Sequence, residues 1–80
     1  MDVTLYSRPG CHLCDDARTM LLRVRADIEF ALTEVDITTD DALHKRYLER
    51  IPVICVDGEE RLDLLFTEDE LRAALGASSV

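Results

Sequence analysis

The sequence predicts an α/β domain: a four-stranded mixed sheet flanked by three helices, in the order βαβαββα. Three observations carry that expectation. Across residues 3–37 the apolar spacing runs from a strand pattern to a helical repeat and back, which implies a βαβ unit with parallel strands. Asp57-Gly58 follows the apolar run 51–56 and signals a tight hairpin, so the last two strands run antiparallel. The chain has 80 residues, enough for one domain and little more.

Each element has its own local signal. Residues 3–6, Val-Thr-Leu-Tyr, are β-branched and aromatic and read as the first strand. Ser7-Arg8-Pro9-Gly10 breaks it. Leu13, Ala17, Met20, Leu21 and Val24 recur at three- and four-residue steps, giving one apolar face of a helix from about Cys11 or His12 to Arg25. Asp15 and Asp16 near its start and Arg23 and Arg25 at its end suit the helix dipole. Residues 29–37 form a second strand. Phe30 and Leu32 lie on one face and Ala31, Val35 and Ile37 on the other, which predicts a strand covered on both sides. Thr38-Thr39-Asp40 offers N-cap residues for a short helix over 41–48, with Leu43 and Tyr47 inward. Residues 51–56 are a third strand opening with proline, and residues 61–65 a fourth. Thr67-x-x-Glu70 is a capping box for a last helix carrying Leu71, Ala74 and Leu75, stopped by Gly76. Residues 1–76 therefore read as the domain and 77–80 as a loose tail.

Composition excludes several functions. Lys+Arg number 9 against 17 Asp+Glu, a net charge of −8. Phosphate binding needs a cationic face, so nucleic acid is an unfavourable partner, and anionic membranes are disfavoured likewise. No apolar run is long enough to span a bilayer. The first residues lack the basic and apolar regions of a signal peptide, so the expected location is the cytoplasm.

Three cysteines are too few, and odd in number, for a secreted disulfide framework. Cys11-His12-Leu13-Cys14 sits where a strand hands over to a helix. In a cytosolic chain that spacing indicates redox chemistry or metal. Thiolate is the attacking species in disulfide exchange, and a helix N-terminus favours negative charge. Cys11 falls at the helix start, and Cys14 follows on the same side one turn in. That places a nucleophile before a resolving thiol. Arg8 adds positive charge three residues before Cys11, Pro9 and Gly10 shape the turn, and His12 would favour thiolate when protonated. Cys55 alternates with Ile54 and Val56 and reads as a small buried hydrophobe.

Residues 5–14, Leu-Tyr-Ser-Arg-Pro-Gly-Cys-His-Leu-Cys, with Ile51-Pro52-Val53 downstream, resemble the thioredoxin superfamily, and within it short bacterial glutaredoxin-like proteins. The element order fits along nearly the whole chain. The resemblance implies a thioredoxin-like fold and thiol–disulfide oxidoreductase activity, linked to electron transport. It implies Cys11 as nucleophile, Cys14 as resolving thiol and Arg8 as the basic residue common before the nucleophile. It also implies a cis proline at Pro52 facing the site, with Ile51 presenting its backbone to an extended substrate and Val53 following.

One segment departs from the family's pattern. Typical glutaredoxins hold glutathione partly through a Gly-Gly stretch at the start of the last helix, where free N–H groups receive a carboxylate. This chain has Leu65-Phe66-Thr67-Glu68-Asp69-Glu70 there. Thr67 would use one of those N–H groups, and residues 57–70 hold seven acids against Arg61 alone. The expected substrates are therefore disulfides of a protein, of glutathione, or both. No cofactor is expected to be bound; glutathione or a reductase would regenerate the dithiol, although the glutathione motif is not matched. A monomer is expected. Two other readings stand beside this one. A thioredoxin-type fold can serve as a non-catalytic binding module, here through its acidic stretch. A metal or iron–sulfur carrier is the other, although the second Cys-x-x-Cys or His pair usual for zinc is missing. Lys45, Arg46 and Arg50 form a small basic cluster that reads as a solvated face, or as a contact for an acidic partner or the glycine carboxylate of glutathione. Tyr6 borders the cysteine motif.

Overall fold

Strand pairing organises the chain into one mixed sheet in the order β2-β1-β3-β4, described by a computed structural model for residues 1–76. The predicted tail, 77–80, lies outside the described residues. The elements are β1 (Asp2–Ser7), α1 (His12–Arg25), β2 (Ala31–Asp36), a 3₁₀ turn (Ile37–Thr39), α2 (Asp41–Tyr47), β3 (Val53–Val56), β4 (Glu59–Asp63) and α3 (Glu68–Ala74). β1 pairs parallel with β2 and antiparallel with β3, and β3 pairs antiparallel with β4. The order βαβαββα is the one expected, as is a four-stranded mixed sheet with three helices.

Alternation along β1 and β3 divides the core between the two sheet faces. Val3, Leu5, Ile54 and Val56 pack with Ala17, Leu21 and Val24 of α1 and with Leu71 and Leu75 of α3. Val53 and Cys55 turn the other way and pack with Ile37, Tyr47 and Ile51, where α2 closes the face. Every residue of β3 is buried, as a central strand under two layers requires.

β2 is not covered on both sides as expected. It is an edge strand, shorter at both ends than residues 29–37, and Ala31, Thr33 and Glu34 are exposed. Its apolar flanks misled the reading: Phe30 and Ile37 are buried, but just outside the strand and in opposite halves of the core. In α1 the inward stripe is Cys14, Ala17, Leu21 and Val24, whereas Leu13 is 40% exposed. Cys14 takes the inward place that the spacing gave to Leu13. Asp40 caps α2, accepting from Ala42 and Leu43 N–H at 2.8 and 3.1 Å, while Asp36 caps the preceding 3₁₀ turn. Asp57 and Gly58 both have positive φ, 50° and 85°, the requirement of a type I′ turn. That two-residue turn starts the pairing at Glu59, two residues before the expected fourth strand. The ladder then slips by one residue opposite Ile54 and Cys55, leaving Arg61 between the paired residues Glu60 and Leu62. The capping box of α3 forms in full: Glu70 N–H donates to Thr67 Oγ1 at 3.1 Å and Thr67 N–H to Glu70 Oε1 at 3.0 Å.

Candidate functional site

β1 ends at Ser7, and the turn that follows delivers Cys11 to the N-cap of α1. Gly10 makes the turn with φ 79°, a conformation rarely open to a side chain. Cys11 has extended backbone, φ −92° and ψ 106°, and its Sγ accepts the Cys14 N–H at 3.1 Å. A sulfur thus occupies the place where a serine or threonine oxygen commonly sits. Cys11 and Cys14 form a disulfide, with Cα atoms 5.2 Å apart. Cys11 is partly exposed and Cys14 fully buried.

The downstream segment meets this pair in space. Ile51 and Val53 belong to the same apolar cluster as Cys14, and Cys11 packs against it. The Ile51–Pro52 peptide is cis. Ile51 N–H donates to the Tyr47 carbonyl at 3.0 Å, and no N–H among the described residues donates to the Ile51 carbonyl. Of the two backbone groups at Ile51, a residue 7% exposed, only the carbonyl lacks a hydrogen-bond partner among the described residues. Arg8, Pro9 and Gly10 are exposed in the turn and line a cavity of about 350 Å³ with Arg18 and Glu34. His12 opens α1 and is exposed, and its imidazole has no hydrogen bond or ion pair among the described residues.

A polar network under the turn was not visible in the sequence. Ser7, 3% exposed, donates its hydroxyl to Glu34 Oε2 at 2.7 Å. Arg18 grips both oxygens of Glu34, with Nε at 2.6 Å from Oε1, and donates to Asp15 at 2.9 Å. The Arg18 bonds hold the Glu34 carboxyl below the usual range, burial opposes them, and the Ser7 bond adds to the lowering. This network ties β1, α1 and β2 together beneath the cysteine turn. A serine, a glutamate and an arginine far apart in sequence give no local signal of it.

Tyr6 and Tyr47 stack with ring centroids 4.8 Å apart on the α2 side of the sheet. Burial raises the Tyr6 phenol, with Cys55 and Tyr47 adding to it and Arg46 opposing. Cys55 is buried, as expected, and burial pushes its thiol up against the opposing charges of Arg46 and Arg50. Two members of the expected basic cluster share one ring. Arg46 and Arg50 lie over the Tyr47 ring at 5.4 and 5.7 Å, and Arg50 also pairs with Glu60 and Asp63.

The acidic stretch is less bare than the linear sequence suggests. Arg50 holds Glu60 and Asp63, Arg61 holds Glu59, and Arg23 and Arg72 hold Glu68. Among the described residues, Asp69 in α3 and Asp16 in α1 form no ion pair. On the far side of the disulfide, Pro52 lies in an apolar groove with Leu13, Met20, Leu64, Leu65 and Phe66. The sequence reading placed 64–65 in a strand and so missed this wall. The signal was the run Leu64-Leu65-Phe66 itself, three apolar residues just before the capping box of α3.

A family profile described as glutaredoxin-like domain (DUF836) matches residues 2–76. The chain belongs to that glutaredoxin-like family. The X-ray structure of target protein XcR50 from X. campestris is similar, with 42% identity, a TM-score of 0.81, and coverage of 95% of this chain and 97% of that one. Uncharacterized protein Rv0508 of Mycobacterium tuberculosis is 27% identical over 82 residues, covering 96% of this chain and 84% of its own length. A mutant thioredoxin from Halobacterium salinarum shares the fold, with a TM-score of 0.68 at 20% identity over 99% of this chain and 74% of that one. This glutaredoxin-like chain therefore has a thioredoxin-like fold, and its cysteine pair at disulfide distance fits a redox role. No helix of the described residues is long and apolar enough to cross a membrane.

Proposed function

We propose that this glutaredoxin-like chain is a dithiol–disulfide oxidoreductase. The observation that carries the reading is the Cys11–Cys14 disulfide at the N-terminus of α1, with the Cys14 N–H directed at Cys11 Sγ. In the reduced chain that N–H and the helix N-terminus stabilise a thiolate on Cys11. Cys11 is the more exposed sulfur and attacks a substrate disulfide, releasing one thiol and forming a mixed disulfide. Cys14 then displaces the second thiol and closes the Cys11–Cys14 bond. Two electrons pass to the substrate; Cys14 gives up one proton, and solvent returns the one that Cys11 lost on becoming a thiolate, so both product thiols are protonated. Arg8 supplies positive charge beside the turn, Pro9 and Gly10 keep the approach clear, and His12 adds charge when protonated. The Ile51 carbonyl and Pro52 receive the chain that flanks the substrate disulfide, and Val53 packs beneath them.

Substrates of this reaction are protein disulfides, with glutathione as reductant or mixed-disulfide partner in second place. The filled cap of α3 supports that order, since two of the backbone groups at the helix start already have partners in Thr67 and Glu70. A thiol reductant or a reductase regenerates the dithiol. The working form is a cytoplasmic monomer.

Reduction of insulin disulfides or of a small disulfide tests the function. Cys11→Ser should abolish turnover, and Cys14→Ser should accumulate the mixed disulfide. Turnover unchanged in Cys11→Ser sinks the reading.

A further inference from the structure

The groove beside the cysteine pair has two walls from distant parts of the chain. Leu13, Asp16, Ala17 and Met20 form one, a stripe on α1 spaced by three and four residues. Leu64, Leu65 and Phe66 form the other, and Pro52 completes it; the cavity measures about 160 Å³. Leu13 and Leu64 are 40% and 45% exposed, and Leu65 is 76% exposed. Contiguous exposed apolar surface of this kind marks a contact site more often than single scattered leucines do.

The second wall is held in place. Leu64 has φ 60°, which side chains of its type seldom adopt, and its N–H donates to the carbonyls of Arg50 and Pro52, at 3.1 Å each. Those bonds fasten the loop to the Pro52 segment while its leucines face solvent. The groove therefore does not depend on a partner to form.

Charge selects the occupant. Asp16 lies in the groove and has no ion pair among the described residues. Asp69, in the first turn of α3, has none either. The nearby arginines are taken, Arg23 by Glu68 at 2.9 Å and Arg72 by Asp27 and Glu68. A second copy of a chain with net charge −8 is a poor occupant, and so is the anionic tripeptide glutathione.

We propose that the groove docks a leucine-like residue flanking the cysteine of a polypeptide disulfide, with an adjacent lysine or arginine meeting Asp16. This rests on the redox reading and names its substrate class: a basic, apolar cysteine segment of a protein. The reaction is the one above, with two electrons passing from the Cys11–Cys14 dithiol to the polypeptide disulfide.

The test is a single-turnover assay with the pre-reduced full chain. Its substrates are mixed disulfides with 5-thio-2-nitrobenzoate, whose release is coloured. Attack by Cys11 on the other sulfur releases that thiolate, and Cys14 then frees the peptide thiol. The probes are Cys-Leu-Lys, Cys-Leu-Glu and Cys-Gly-Lys peptides, glutathione and 2-mercaptoethanol, all bearing the same leaving group. The Cys-Leu-Lys adduct should react about tenfold faster than the Glu, Gly and glutathione adducts, a difference of about 1.4 kcal/mol. Leu65→Ser should cut the ratio of the Cys-Leu-Lys rate to the 2-mercaptoethanol rate about tenfold. Asp16→Lys should reverse the preference between Lys and Glu, and raised salt should shrink it. Both sites are exposed; if Leu65→Ser fails to fold by circular dichroism, the Asp16→Lys reversal decides. Equal rates for all peptides, or a glutathione adduct as fast as Cys-Leu-Lys, overturns the docking while a reacting 2-mercaptoethanol adduct leaves the redox reading standing. No reaction with any adduct refutes the redox reading, and the docking with it. A wild-type dimer in sedimentation that Leu65→Ser dissolves assigns the groove to self-contact and overturns the proposal.

Discussion

Glu34 joins β1, α1 and β2 beneath the cysteine turn, and replacing it in two ways separates its contributions. The Ser7 hydroxyl that it accepts at 2.7 Å belongs to a residue only 3% exposed, with little access to water as an alternative. Glu34→Ala leaves that donor unmet, which costs about 1–3 kcal/mol. The Arg18 pair adds less, about 0–1 kcal/mol, because its two side chains are 38% and 34% exposed. The expected loss is about 2 kcal/mol, or roughly 8–16 °C in Tm for a domain of this size. Glu34→Gln keeps an acceptor for Ser7 but loses the charge and one of the two oxygens that Arg18 holds, so its expected loss is that of the Arg18 pair, about 0.5–1 kcal/mol.

Acid provides the second half of that test. The folded Glu34 carboxyl titrates below its usual value, chiefly through the Arg18 bonds. Its charge therefore stabilises fully above the unfolded value of about 4.3 and ceases to do so as pH falls through the folded value. The gap between wild type and Glu34→Gln should close in strong acid. Urea unfolding followed by circular dichroism measures all three chains. A Glu34→Ala chain within about 0.5 kcal/mol of wild type at neutral pH refutes the Ser7 reasoning. A Gln gap that survives in strong acid refutes the charge reasoning.

Two further perturbations follow from the same geometry. Thr67→Ala removes one half of the capping box and should cost about 1 kcal/mol, with Thr67→Ser restoring most of it; equal urea midpoints for all three chains would contradict the cap. Cys55 is buried and its thiol is pushed up, so in the disulfide form a maleimide should modify it only as fast as the chain unfolds. Rapid labelling in the absence of denaturant would place Cys55 outside the core.

What was legible in the sequence was local. Thr67 and Glu70 are three residues apart and find each other without help from the rest of the fold. Asp57-Gly58 fixes its own turn through backbone preference. Cys11 and Cys14 share one helical turn, so their spacing alone brings the sulfurs together. The illegible parts depend on partners far away in the chain. The edge position of β2 follows from which strand pairs on each side of β1, and nothing within residues 31–36 states that. The end of β4 is set by Leu64 N–H reaching the carbonyls of Arg50 and Pro52. The groove wall 64–66 could not be separated from a strand end, because exposed and buried leucines look alike in sequence.

Charge shows the same division and bears on the proposed substrate. Counted along the chain, residues 57–70 look strongly repulsive to any anion. Counted in space, arginines from α1, α3 and the loop before β3 neutralise much of that stretch. Salt screens the remainder over roughly 8 Å. Repulsion by the acidic stretch is thus the weaker reason to place glutathione second. The stronger reason is geometric. An anion bound at the start of a helix needs free N–H groups, and salt does not supply them. Thr67 and Glu70 satisfy two of the backbone groups there in both directions. Three apolar residues, Leu64, Leu65 and Phe66, precede the cap. A polypeptide that brings its own apolar side chain loses nothing to the filled cap and gains from those three residues. The features that disfavour an anionic tripeptide are therefore the same ones that favour an apolar segment beside the reacting sulfur.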